Sequence, residues 1–135
     1  LSQPRKHPKG HWSGFDRLSL LSEPESMIQF IKKFNSEYLK ITFDAGHANA
    51  SGINPIWFLA ELCNEICDKV LNMHIHDNDG TADYHWAVGR GNIDWKKFFE
   101  YLKKIQYRNY LTLEIYLEDD LRTSIKEIQN FLASL

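Results

Sequence analysis

Apolar positions recur at helical spacing in four stretches and gather into short continuous runs in three others. The first helical stripe is Met27, Ile28, Ile31 and Phe34. It is opened by "SEPE", a capping box in which Ser22 caps and Glu25 reaches back, with Pro24 tolerated in the first turn. Pro55 opens a second helix with the stripe Leu59, Leu62, Cys63, Ile66 and Cys67. Asp94 is the N-cap of a third, carrying Trp95, Phe98, Phe99, Leu102 and Ile105. The last helix carries Leu121, Ile125, Ile128 and Leu132. Between the helices, "YLKITFD" (38–44), "KVLNMHIHD" (69–77) and "NYLTLEIYL" (109–117) read as strands, and Gly46 and Gly52 mark the loop after the first. Residues 1–21 are a Pro/Gly-punctuated loop. Strands alternating with helices predict an α/β fold with a parallel sheet. Asp44, Asp77 and Glu114 recur at matching places in successive units, although no sequence repeat is evident. Three strands do not close a barrel, which needs about eight, and they leave two sheet edges open. The chain is therefore expected to be part of a larger barrel or to pair with something.

Composition narrows this picture only a little. The 135 residues suit one modest domain, 43% apolar and 25% charged, as in ordinary globular proteins. The net charge of −2 gives no reason to expect a polyanion partner. No apolar run reaches the roughly 18 residues of a membrane span and no signal peptide is visible, so a cytoplasmic protein is expected. The chain opens at Leu1 rather than Met, and is read as a fragment or a processed product. Cys63 and Cys67 fall four apart on one helical stripe, where a disulfide would strain the helix; they are expected to be core thiols.

The unusual residues stand at the strand ends. The first strand ends in Asp44, with His47 three residues on; the second in His74, His76 and Asp77; the third carries Glu114 inside an apolar run. In parallel α/β folds the carboxyl ends of the strands form the ligand-binding face. Three strands thus deliver N and O donors to one rim. His74 and His76, two apart, share a strand face, and Asp83 and His85 form a D-x-H pair able to bend back over it. A carboxylate such as Glu114 in an apolar run needs a metal or a cation beside it. Mixed Asp/Glu/His donors suit Zn, Mn, Fe or Co rather than a purely thiolate-bound metal. His76, Trp86 and Arg90 are the candidate substrate contacts, Trp86 as a wall of the site. "GRG" lacks the strand-Gly-helix context of a phosphate fingerprint. "PRKHPKGH" is read as a solvated loop in preference to a phosphate-binding lid.

"FDAGHA", "MHIHDNDG..DYHWAVGRGNIDW" and "LTLEI", in this order, resemble the xylose isomerase-like TIM-barrel superfamily, which includes sugar phosphate isomerases/epimerases and endonuclease IV-type AP endonucleases. The resemblance implies that the chain is the C-terminal part of a (β/α)8 barrel, strands 6 to 8 with their helices, as a single partial domain over residues 1–135. It implies metal ligands at Asp44, His74 and Glu114, with Glu114 and His47 as catalytic groups. In the AP endonucleases, the positions of His47, Asp83 and His85 also bind metal. The superfamily's strand-5 glutamate, a metal ligand and an acid/base in the epimerases, is expected ahead of Leu1.

Three functional readings follow from the resemblance. The first is a sugar or sugar-phosphate isomerase/epimerase, using one divalent ion (Mn, Zn, Mg or Co) and proton transfer through a metal-stabilised enediolate. The second is an AP endonuclease using a metal cluster against a phosphodiester at an abasic site; the acidic "DNDGTAD" loop weighs against it. The third is a non-catalytic barrel fragment that assembles with a missing N-terminal half-barrel or as a homodimer.

Overall fold

The computed structural model describes residues 23–134. Helix α1 (Pro24–Phe34) is followed by strand β1 (Ile41–Asp44), helices α2 (Ala45–Ala50) and α3 (Pro55–Ile66), and a single 3-10 turn (Cys67–Lys69). Strand β2 (Val70–Ile75), helix α4 (Trp95–Lys104), strand β3 (Tyr110–Leu113) and helix α5 (Glu118–Ala133) complete the order. The expected loop 1–21 and Ser22 lie outside the described residues. The N-cap position of α1 is held by Glu23, one residue later than the capping box predicts.

The strands form a parallel sheet in the order β1-β2-β3, open at both edges among the described residues. This is the α/β architecture predicted, and its three strands do not close into a barrel. Each strand is shorter than its apolar run. β2 stops at Ile75 because the chain then turns inward: His76 reaches Asp44, and Asp77 forms an antiparallel bridge with Trp86. β3 stops at Leu113, although Glu114 N still donates to Ile75 O at 3.2 Å and keeps the next residue aligned with the sheet.

Period-two alternation, interrupted by a register shift at the start of β1 and β2, gives the sheet two different faces. Ile41, Phe43, Val70, Met73 and Ile75 are buried against Phe58, Leu59 and Leu62 of α3 and Trp95, Phe98, Phe99 and Leu102 of α4. The other face carries Thr42, Asp44, Asn72, His74, Thr112 and Glu114, and Thr112 Oγ1 donates to Asn72 Oδ1 across it at 2.9 Å. In register, Asp44 stands beside His74 and His74 beside Thr112, two residues before Glu114.

Three local expectations are corrected. Residues 45–50, read as a loop from Gly46, form a helix: "AGHANA" is rich in alanine, the best helix former, and Asp44 Oδ1 caps it by accepting from His47 N at 2.7 Å. On α5, Ile125 and Leu132 are exposed while Ser124 is fully buried. The helix turns Ser124, Ile128 and Phe131 toward the core, and Ser124 Oγ accepts from Val88 N at 3.0 Å while donating to Asp120 O at 2.7 Å. A pattern of apolar residues passes over such a serine. Cys67 lies beyond the end of α3 instead of on its stripe, and both cysteines are only partly buried. Among the described residues no helix is long and apolar enough to cross a membrane.

Asp77 ties the end of β2 to the segment leading into α4. It is fully buried; Oδ1 accepts from Asn78 N at 2.9 Å, and Oδ2 from Gly89 N at 3.0 Å and Trp95 Nε1 at 2.8 Å. Gly91 must lack a side chain because a Cβ there would stand 2.1 Å from Asn78 O and 2.3 Å from Asp77 Oδ1. Removing the carboxylate strands buried donors that each cost about 1–3 kcal/mol when unpaired. Asp77→Ala is expected to lower unfolding free energy by about 3 kcal/mol or more in urea titration, with Asp77→Asn losing less.

Candidate metal centre

Asp44, at the last position of β1, divides its two oxygens. Oδ1 accepts from His47 N at 2.7 Å and from His76 Nε2 at 3.0 Å. Oδ2 lies 3.0 Å from His47 Nδ1 and 3.3 Å from His74 Nδ1. His74 Nδ1 is also 2.8 Å from Glu114 Oε2. These three residues offer donor atoms that all lie within 4.8 Å of one another. Both Asp44 Oδ2 and Glu114 Oε2 are buried without a hydrogen-bond partner. Two buried carboxylate oxygens converge on one imidazole nitrogen, and a divalent cation fits that donor set.

A second group adjoins the first. His47, His76, Asp83 and His85 also present donors within 4.8 Å of one another. Asp83 Oδ2 is 2.9 Å from His47 Nε2 and 3.0 Å from His85 Nε2. Hydrogen-bond partners assign the ring protons. His85 Nδ1 donates to a carbonyl, Glu114 O, at 2.7 Å, and its Nε2 lies 3.0 Å from Asp83 Oδ2. His76 donates through Nε2 to Asp44, and its Nδ1, without a hydrogen-bond partner, lies 3.7 Å from Asp83 Oδ1.

His76 is 0% exposed. Its ring lies against Gly46, where a Cβ would come within 1.9 Å of Cε1, and it stacks on His85 at 3.9 Å between centroids. His85 stacks in turn on the exposed ring of Tyr116 at 4.4 Å. Asn78, buried beneath, donates to Gly46 O at 2.9 Å and accepts from Asn49 at 2.8 Å, holding α2 to the end of β2.

Electrostatics follow from this geometry. Burial works to raise the Asp44 carboxyl, but His47 and His76 overcome it and hold the group ionised far below the usual carboxylate range. His47 is pushed up to about 9, first by its contact with Asp44 and then by Asp83, against the opposing effect of burial.

The sequence-derived candidates therefore distribute as follows. Asp44, His74 and Glu114 meet in one group and His47, Asp83 and His85 in the neighbouring one, with His76 between them. Asp77, a potential ligand by position, belongs to neither and faces the backbone donors described above. Trp86 and Arg90 stand together: the guanidinium lies 5.1 Å from the Trp86 ring and pairs with Asp120 at 3.4 Å, while Trp86 stacks on Tyr84 at 4.4 Å. Sequence reasoning missed Gly46 as the cradle of His76 and Tyr116 as a rim aromatic. The placement of Tyr116 two residues after Glu114 was the available signal for the latter.

Two outcomes test this arrangement. Gly46→Ala is expected to displace the His76 ring and cost about 1–3 kcal/mol of stability, as overpacking does, measured by chemical unfolding. In the metal-free chain, an NMR titration of His47 is expected to have its midpoint near pH 9. Because this value is raised, the stability it contributes is complete below an unfolded value of about 6.5 and is lost as pH rises through about 9. Asp44→Asn is expected to bring the midpoint down toward about 6.5.

Comparison with known proteins places the chain. The profile of the xylose isomerase-like TIM barrel family matches residues 8–135. An uncharacterized protein of Methanocaldococcus jannaschii is 39% identical over 103 residues, which are 76% of this chain and 33% of that protein. A second from the same organism is 37% identical over 94 residues, 70% of this chain and 35% of that protein. The chain thus spans about a third of the length of the curated relatives it matches. Among solved structures, a D-tagatose 3-epimerase-like protein superposes with TM-score 0.75 at 35% identity, covering 83% of this chain and 41% of that one. An IOLI protein with a binding zinc atom superposes with TM-score 0.62 at 21% identity, covering 82% and 43%, a likeness of fold. The chain belongs to the xylose isomerase-like TIM barrel family.

Proposed function

We propose that this chain is the C-terminal segment, residues 1–135 as one partial domain, of a divalent-metal-dependent sugar isomerase or epimerase. The observation that carries the reading is the meeting of Asp44 Oδ2, His74 Nδ1 and Glu114 Oε2, with both carboxylate oxygens buried. Asp44, His74 and Glu114 would hold the ion, which is Mn, Zn, Mg or Co on this reading. When bound, such an ion supplies Lewis acidity that polarises neighbouring oxygens of a sugar and makes the intervening C–H acidic. The likeness to a D-tagatose 3-epimerase-like protein supports a small sugar or sugar phosphate as substrate.

The chain's own groups do the rest. Glu114, at the end of β3, takes a proton from the substrate carbon as general base and returns it as general acid. His47, charged at neutral pH and half-exposed on α2, donates a hydrogen bond that orients a substrate oxygen. The exposed ring of Tyr116, stacked on His85, lines the rim. The second acid/base is the strand-5 glutamate that the family pattern puts ahead of Leu1. That glutamate would come from the rest of a barrel or from a partner chain, and the working compartment is the cytoplasm.

A second reading has its own support. The group His47, His76, Asp83 and His85 has the donors of a further metal position, as an AP endonuclease acting on abasic DNA requires. Two variants separate the readings. His74→Ala is expected to weaken Mn(II) or Zn(II) binding at least about tenfold, as removal of a ligand does, measured by equilibrium dialysis with elemental analysis. Asp83→Ala is expected to reduce solvent-deuterium exchange into a ketose only modestly. Complete loss of abasic-duplex nicking in Asp83→Ala, with no sugar exchange in either protein, would establish the nuclease reading instead.

A further inference from the structure

Helix α3 does not run through both of its cysteines. It ends at Ile66, whose φ of −144° and ψ of 37° leave the helical region, and Cys67 begins the 3-10 turn that feeds β2. In an unbroken helix, residues four apart hold their Cβ atoms about 5–6 Å from each other, whereas a disulfide needs about 3.5–4.5 Å. The break at Ile66 removes that obstacle. Cys67 Sγ stands 2.6 Å from Cys63 Sγ, against a bonded length of about 2.05 Å. Both are free thiols and both remain partly exposed. Cys63 packs against the core, and neither cysteine belongs to the Asp44, His74 and Glu114 group.

We propose that Cys63 and Cys67 form a vicinal dithiol site that closes to an intramolecular disulfide by exchange with a small-molecule disulfide. The Cys67 thiolate attacks one sulfur of the small disulfide, forms a mixed disulfide and expels one thiolate, which takes up a proton. Cys63 then gives its proton to solvent and attacks the Cys67 sulfur. The Cys63–Cys67 bond forms, the mixed disulfide breaks, and the second small thiolate leaves and is protonated. Two protein thiols are oxidised and one small disulfide is reduced to two thiols, with no other electron acceptor. Burial, together with the adjoining Cys67 sulfur, pushes the Cys63 thiol up, which suits it to react second, once a partner sulfur is already in place. The bond would fasten the end of α3 to the turn that enters β2, the strand that carries His74.

The test uses the native 135-residue chain, oxidised glutathione as the probe, and intact-mass measurement with peptide mapping. The wild type is expected to lose the mass of two hydrogens, retain no glutathione and form no links between chains. Cys63→Ser is expected to retain one glutathione on Cys67, since the closing thiol is gone. The proposal is overturned by a wild type that retains glutathione or forms interchain links. It is equally overturned by a native chain that stays reduced under conditions in which the urea-unfolded chain reacts.

Discussion

Asp44 is the residue on which the remaining arrangement depends. One carboxylate ends β1, caps α2 and accepts from His76, while its second oxygen is held toward His74. Each contact removes a degree of freedom from the others. The cap fixes the start of α2 and therefore sets His47 beside Asp44. The His76 bond requires the ring to lie flat against α2, which only a glycine at position 46 permits. With Oδ1 committed in this way, Oδ2 is left facing another acid, Glu114, across the imidazole of His74. Two buried acid oxygens converging on one imidazole nitrogen form a donor set that suits a cation, and this is the main physical argument for one.

The sheet serves this placement by having unlike faces. Its apolar face is covered by α3 and α4 and supplies the core. Its polar face presents, at the carboxyl ends of three neighbouring strands, one donor each: Asp44, His74 and Glu114. Asp77 secures the turn that follows β2 by accepting from the backbone at Asn78 and Gly89 and from the Trp95 indole. The acids at the strand ends thus divide between the site and the scaffold. Asp77 holds the segment from which Asp83 and His85 return to the rim.

Much of this was legible in the sequence because it rests on local signals. Alternation of apolar runs and helical stripes gave three parallel strands and the helices between them, and polar residues at strand ends marked Asp44, His74 and Glu114. The failures have a common origin in contacts between segments distant in sequence. Gly46 reads as a loop breaker, yet it starts a helix against His76, thirty positions away. Ser124 is polar and reads as surface, yet its hydroxyl satisfies Val88 N inside the core. His76, read from the sequence as a group supporting the metal site or contacting substrate, is enclosed between Gly46 and His85, a setting that strand periodicity does not reveal. The open edges at β1 and β3 agree with a chain that spans about a third of its curated relatives.

The central claim, that Asp44, His74 and Glu114 form a cation site, is tested most directly by anomalous diffraction from crystals of the chain grown with Mn(II) or Zn(II). The account predicts an anomalous peak within bonding distance of Asp44 Oδ2, His74 Nδ1 and Glu114 Oε2, about 2.0–2.2 Å for zinc. A peak found only among His47, Asp83 and His85, or no peak at a saturating concentration of the ion, would contradict it.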